Sequence, residues 1–93
     1  MIKKSKKNKN LRIIANLEEV AETLSIPIKY DKFHGKGGLC CLYGRFRIII
    51  NRNLNTIDKI EILSKALNTF PLENIYILPE IRKVLNVHQN VKN

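Results

Sequence analysis

The sequence predicts an α+β domain, in which a small, mostly antiparallel sheet of about three strands with one hairpin packs against about three helices on one face. Two apolar runs, 39–43 and 46–51, are separated by Gly44-Arg45, a spacing typical of a tight hairpin turn. Apolar residues recur at helical intervals on both sides of this hairpin. The resulting order of helix, strand, hairpin, helix and helix favours an α+β arrangement, because strands and helices occupy separate parts of the chain.

The chain has 93 residues, the length of one small domain, and 44% of them are hydrophobic. Residues 1–10 consist mainly of Lys, Asn and Ser, so we expect them to form a disordered basic tail. The sequence places a single α+β domain at residues 11–88 and a frayed C-terminus at residues 89–93.

The first helix is predicted to begin at Asn16, which forms a capping box with Glu19. The preceding residues 11–15 are a short apolar run, either a strand or the approach to this helix. Pro27 ends the helix by about Ser25, because the residue before a proline avoids the helical conformation. The apolar stripe of this helix comprises Leu17, Val20, Ala21 and Leu24.

The next elements are an edge strand, a loop and the hairpin. Ile26, Ile28 and Tyr30 alternate with Pro27 and Lys29, which is the pattern of an edge strand. In the second strand of the hairpin, residues 48–50 are apolar on both faces. This run indicates a central strand that helices cover on at least one side.

Two further helices follow the hairpin. Asn55 or Thr56 is expected to cap the second helix, and Pro71 is expected to end it. Pro79 suits the first position of the third helix, with Glu80 in its first turn. The inward residues are Ile60, Leu63, Leu67 and Phe70 in the second helix, and Ile81, Val84 and Leu85 in the third.

The formal net charge is +9, and it is concentrated in a basic tail and a basic loop and hairpin. Such clusters bind polyanions by counterion release, although a solvated tail has the same composition. Tyr43 and Arg45 at the hairpin tip are candidates for base stacking, whereas Phe46 shares the alternation of the core residues. The candidate nucleic-acid-binding residues are Lys3, Lys4, Lys6, Lys7, Lys9, Arg12, Lys36, Tyr43, Arg45, Arg47 and Arg52.

The cysteines and the hydropathy pattern indicate a cytoplasmic protein. Cys40 and Cys41 are neighbours in a strand, so their side chains point to opposite faces and cannot easily form a disulfide. A reducing compartment fits such cysteines. No apolar run approaches the roughly 20 residues of a membrane helix, and no secretory signal is recognisable, so no membrane partner is predicted.

The candidate chemical groups do not form a recognisable active site. His34, His88 and the two cysteines lack the spacing of a metal site, so no metal or other cofactor is predicted. A nucleophilic pair of a cysteine with His34 is disfavoured, because thiols in an apolar strand are poorly reactive. Loop 34–38 lacks the phosphate-binding glycine pattern and precedes a strand, which favours a plain flexible loop. Asp58 and Glu61 lie near lysines and are interpreted as surface ion-pairing groups.

Residues 24–30, LSIPIKY, lead through a glycine-containing loop and hairpin to Ile48-Ile49-Ile50-Asn51 and then to a helix. In this order the segment from Glu19 to Phe70 resembles the front half of the ImmA/IrrE-type zinc peptidases. The active-site helix of that family reads L-A-H-E-L-G-H, where this chain has residues 63–69, LSKALNT. The zinc histidines fall on Lys65 and Thr69, and the general-base glutamate falls on Ala66. The resemblance therefore implies a related scaffold without zinc hydrolysis.

The chain also resembles small bacterial proteins that share a GGLC…R…INR…EKIE…L pattern and lack the zinc motif. Three hypotheses follow from the sequence. The first is a non-catalytic basic protein that binds RNA or a ribonucleoprotein. The second is a zinc-less peptidase-like module that binds a protein partner or a second copy of itself. The third is an enzyme with an unrecognised site, which the absence of nucleophile, base and metal spacing disfavours.

Overall fold

The computed structural model describes residues 5–89 of the chain, and side chains from Lys9 to Gln89. This part of the chain forms three helices and three strands. In chain order they are α1 (Ser5–Thr23), β1 (Ile28–Asp31), β2 (Gly37–Leu42), β3 (Arg45–Asn51), α2 (Thr56–Leu67) and α3 (Pro79–Val87).

The three strands form one mixed sheet in the order β1-β3-β2, with β3 at the centre. β2 and β3 pair antiparallel from Gly37↔Ile50 to Leu42↔Arg45, and β1 and β3 pair parallel from Ile28↔Ile48 to Asp31↔Asn51. The predicted α+β class, the hairpin, the edge position of β1 and the central position of β3 are confirmed. The parallel pair arises because the chain crosses from β1 to the far side of β3 before it forms the hairpin.

The hairpin turn lies one residue earlier than predicted, at Tyr43-Gly44 rather than Gly44-Arg45. Both turn residues have positive φ, 54° for Tyr43 and 76° for Gly44. Two such residues define the type I′ turn, whose twist matches that of the flanking strands. Arg45 consequently belongs to β3, where it pairs with Leu42.

Helix α1 begins at Ser5, well before the predicted cap at Asn16, so the expectation of a disordered tail is wrong for residues 5–10. The helix is longer because Ile13 and Ile14 are buried in the core and extend the apolar stripe by one turn. Residues 1–4 of the predicted tail, and residues 90–93 of the predicted frayed end, lie outside the described residues.

The C-terminus of α1 has a Schellman geometry. The amide of Ile26 donates to the carbonyl of Ala21, and the amide of Ser25 donates to the carbonyl of Glu22. Ser25 occupies the left-handed position, with φ 62°. The helix therefore ends where Pro27 predicts, and the chain turns directly into β1.

Helix α2 lies at the centre of the domain, in contact with α1, α3, β2 and β3. Ile48 and Ile50 of β3 point towards it and are completely buried, as are Leu63 and Leu67 of α2. Ile49, which points the other way, is only half-buried. The helices of the described chain therefore cover one face of the sheet, and the opposite face remains accessible.

Candidate nucleic-acid interface

The accessible side of the sheet, here called the outer sheet face, is formed by alternate residues of the three strands. Strand residues that are paired in register point to the same side, and successive residues alternate between the two sides. The register therefore brings to this face Lys29 and Asp31 of β1, Arg45, Arg47 and Ile49 of β3, and Gly38, Cys40 and Leu42 of β2.

Three cations dominate the outer sheet face. Arg45 and Arg47 lie two residues apart on β3, a separation of roughly 7 Å along the strand. Lys29 is paired with Ile49, one position further along the same face. Asp31 is the one carboxylate that the register places on this face, so its net charge is positive.

A depression of about 560 Å³ lies on this face. Lys29 and Arg47 provide its cationic lining beside the carboxylate of Asp31, and Ile49, Cys40 and Phe33 provide apolar surface. The ring of Phe33 belongs to the loop between β1 and β2 and is 37% exposed. A basic depression with an accessible aromatic ring can hold a phosphodiester chain by charge and a base by stacking.

Asn51, at the end of β3, holds this loop in place. Its Nδ2 donates hydrogen bonds to the carbonyls of Phe33 and Gly35, both at 2.8 Å, and its Oδ1 accepts from the amide of Asn53 at 3.0 Å. Its own amide donates to the carbonyl of Lys36 at 3.0 Å. One side chain therefore determines the path of residues 33–36 and the position of the Phe33 ring.

The remaining hairpin and loop candidates lie away from the depression. Lys36 is exposed in the loop before β2 and does not line the depression. The guanidinium of Arg52 donates to the carbonyl of Tyr30 at 3.4 Å, at the outer edge of β1. Tyr43, at the hairpin tip, is 94% exposed. Arg45 and Arg47 are thus the candidates that the fold brings together on the outer sheet face.

Two cations of the predicted tail and its continuation, Lys9 and Arg12, lie near the start of α1. The Nδ2 of Asn10 donates to the hydroxyl of Thr56 at 3.3 Å, which places the start of α1 beside the loop that follows β3 and carries Arg52. Lys9 and Arg12 are exposed on this part of α1. Lys6 and Lys7 lie in the helical backbone of α1, and Lys3 and Lys4 lie outside the described residues.

The sequence analysis missed Lys29, Phe33 and Asn51 as site residues. The alternation of Lys29 with Ile28 and Tyr30 does indicate that it points away from the helices. No local signal identifies the other two, because their roles depend on contacts between β3 and the loop after β1.

On the helix side, Tyr30 joins three elements. Its hydroxyl donates to a carboxylate oxygen of Glu18 in α1, and the ammonium of Lys59 in α2 lies 5.6 Å from its ring centroid. Burial, then the hydrogen bond to Glu18 and the charge of that carboxylate, raise the pKa of Tyr30 above its ordinary value. The contacts of Tyr30 explain why this residue contributes to packing rather than to an exposed stacking surface.

Positions 63–69, which the sequence resemblance compares with a zinc-binding helix, lie in α2 and just after it. Leu63, Leu67 and Ala66 are buried, whereas Lys65 is exposed and pairs with Glu61 at 3.0 Å. The hydroxyl of Thr69 donates to the carbonyl of Lys65 at 3.4 Å. Within residues 9–89, no group of three or more His, Cys, Asp and Glu side chains is arranged to hold a metal ion.

Comparisons with protein-family models, with curated proteins and with solved structures found no match to this chain. Among the described helices, none combines the length and the apolar character that crossing a membrane requires.

Proposed function

We propose that this protein binds RNA, alone or within a ribonucleoprotein, in a reducing cytoplasm and without catalysis. The observation that supports the proposal is the outer sheet face, where Lys29 and Arg47 line a depression beside Phe33 and Arg45 follows two residues from Arg47 on the same side of β3. The cations supply affinity for phosphates, and the ring of Phe33 supplies a platform for one base.

A single-stranded segment suits this face better than a duplex. Unpaired bases can turn towards Phe33 and Ile49, whereas the paired bases of an A-form helix have edges that side chains reach poorly. The basic start of α1, with Lys9 and Arg12, lies beside Arg52 and adds a second, sequence-independent contact with the same chain of phosphates.

The test measures binding of a fluorescent single-stranded RNA oligonucleotide by anisotropy over a series of salt concentrations. For single strands, the logarithm of the affinity falls with the logarithm of salt by about 0.7 per neutralised phosphate. Arg47→Gln should therefore weaken binding and reduce this slope by about 0.7. Affinity that is independent of salt, or no binding at low salt, would refute the proposal.

Lys83→Gln is the matched control, because it removes one charge from an exposed site on α3, among the helices. It should leave affinity and slope close to those of the wild type. Equal losses from Lys83→Gln and Arg47→Gln would show that only net charge matters, and the outer sheet face would then not be the binding site.

Phe33 provides a test that does not change the charge. Stacking of a base on an aromatic ring contributes about 1–3 kcal/mol, so Phe33→Ala should weaken binding by about 5- to 150-fold with an unchanged salt slope. Tyr76→Ala is the control, since Tyr76 is 80% exposed in the segment before α3 and should not contribute. An unchanged affinity in Phe33→Ala would exclude stacking on this ring.

A second candidate is a zinc-less, peptidase-like module that binds a protein partner through the hairpin tip. Its supporting observation is the exposure of Leu42 (51%) and of Tyr43 at the end of the hairpin. A pull-down that survives nuclease treatment and replacement of the tail lysines with glutamine, but is lost in Tyr43→Ser, would favour this function over RNA binding. Loss of the partner after nuclease treatment alone would argue against it.

A further inference from the structure

Strand β2 lies at an edge of the sheet, and no other strand of residues 5–89 pairs with its outer side. The amide of Asn51 donates to the carbonyl of Lys36. Because hydrogen-bonded pairs alternate along an antiparallel ladder, the backbone groups of Gly38, Cys40 and Leu42 also face β3 and bond to it. The intervening residues point their amides and carbonyls away from β3. We call this row, Gly37, Leu39 and Cys41, the free β2 edge.

The other edge of the sheet is protected. β1 has only four residues, follows Pro27, and contains Lys29 and Asp31. The guanidinium of Arg52 donates to the carbonyl of Tyr30, which is one of the outward carbonyls of that edge. Short length, proline and charge are the features by which proteins prevent edge strands from pairing with other chains.

The free β2 edge has none of these features. The six residues of β2, GGLCCL, include no charge and no proline. Cys41 is exposed and Leu42 is 51% exposed, so the strand also offers apolar side chains. The alternation of the ladder turns the backbone amides and carbonyls of Leu39 and Cys41 away from β3, and no turn, loop or cap hydrogen bond of the described residues involves them. Such an edge is a template for another strand.

We propose that the free β2 edge binds the same edge of a second copy of this chain, in an antiparallel two-fold pair that makes one six-stranded sheet. Antiparallel pairing of identical strands is self-complementary, as a two-fold interface requires. The strand is also uncharged, which matters because each chain carries a net charge of +9. Pairing through Gly37, Leu39 and Cys41 of both copies forms on the order of six hydrogen bonds.

The pair has a consequence for the outer sheet faces. In a continuous antiparallel sheet, the two-fold axis is perpendicular to the sheet, so both outer sheet faces lie on the same side. The cations Lys29, Arg45 and Arg47 of the two copies would then form one extended surface. Dimerisation itself does not depend on the RNA-binding proposal, and it is tested without nucleic acid.

The test measures mass in solution by sedimentation equilibrium, with reductant present to prevent disulfides. The wild type should shift with concentration from 10.8 kDa towards about twice that mass. Cys41→Pro removes one outward amide without removing a bond to β3, and it should stay monomeric. Cys41→Thr is the matched control, because it removes the thiol but keeps the amide, and it should dimerise like the wild type.

Salt dependence and hydrogen exchange distinguish strand pairing from association through nucleic acid. Because two positive chains repel each other, dimerisation should strengthen as salt rises, whereas RNA binding should weaken. The amides of Leu39 and Cys41 should be protected from exchange only at concentrations where the dimer forms, a measurement that needs no variant.

Several results would overturn the dimer. One is a wild type that is monomeric at every concentration, and another is a folded Cys41→Pro variant that dimerises as well as Cys41→Thr. Protection of the Leu39 and Cys41 amides from exchange in a monomer would also overturn it, because the edge would then be covered from within the same chain. If Cys41→Pro fails to fold, Cys41→Lys, which puts a charge on each edge, replaces it with the same expected loss of dimer.

Discussion

The position of the loop between β1 and β2 depends on the side chain of Asn51. Its amide group makes three hydrogen bonds, two as donor to the carbonyls of Phe33 and Gly35 and one as acceptor from the amide of Asn53. Asn51→Ala removes all three bonds without changing the charge of the protein. The variant therefore tests the effect of the Phe33 position while the charge of the outer sheet face stays the same.

The expected magnitude follows from these contacts. A hydrogen bond contributes a net of about 1 kcal/mol to stability, so three bonds set an upper value of about 3 kcal/mol. Asn51 is half-buried, and water can reach part of the freed backbone groups, so we expect a loss of about 2 kcal/mol in the free energy of unfolding. For a domain of this size, that corresponds to a decrease in Tm of about 8–16 °C.

The assay is urea unfolding followed by circular dichroism, with Asn51→Asp as the discriminating variant. The aspartate keeps an acceptor for the amide of Asn53, but it loses both donors and brings a carboxylate close to two carbonyl oxygens. It should therefore destabilise the fold at least as much as Asn51→Ala does. A loss below about 0.5 kcal/mol for the alanine variant, or wild-type stability for the aspartate variant, would refute the proposed role of the two donor bonds.

Three further predictions concern stability, each measured by urea unfolding. The hydroxyl of Ser64 is completely buried with no hydrogen-bond partner among the described residues. Ser64→Ala should therefore stabilise the protein by about 1 kcal/mol, and a loss of stability would mean that the hydroxyl has a partner. Gly37 has φ +109°, and a Cβ there would overlap the carbonyl oxygen of Ile49. Gly37→Ala should therefore lower the free energy of unfolding by roughly 2 kcal/mol or more, and near-wild-type stability would contradict this geometry. The pKa of Tyr30 is raised on folding, so its stabilising contribution is complete below its unfolded-state pKa of about 10 and decreases as pH rises above that value. The stability difference between the wild type and Tyr30→Phe should therefore shrink above about pH 10, and a difference that is constant with pH would contradict the shift.

Much of the fold was predictable because its signals are local. The apolar run at 48–50 identified the central strand, Pro27 marked the end of α1 and Pro79 marked the start of α3. Helix α2 ends at Leu67, before the Phe70 and Pro71 that the sequence predicted as its last turn and its stop. The start of α1 was not predictable in the same way, because a lysine-rich segment has no strong helical pattern of its own. In the structure the start of α1 is helical, Ile13 is buried, and Asn10 contacts Thr56, which is far away in the chain.

The candidate site was predictable only in its composition. The sequence shows many cations but not which of them share a surface, since that depends on strand register. The register of β1 against β3 decides that Lys29 lies beside Ile49, on the side of the sheet that carries Arg45 and Arg47. Arg45 and Arg47 came together with Lys29, whereas Lys36 lies outside the depression and Arg52 contacts the edge of β1.

Residue identity and short-range periodicity account for the α+β class, the excess of positive charge, and the absence of histidine from positions 65 and 69 and of glutamate from position 66. A linear chain already contains these properties, so they can be read before it folds. Three features emerge only in the folded chain. They are the accessible side of the sheet, the hydrogen bonds from Asn51 to the loop that carries Phe33, and the position of β2 at the edge of the described sheet. They depend on pairing and packing between residues far apart in the sequence, and no local pattern specifies such contacts.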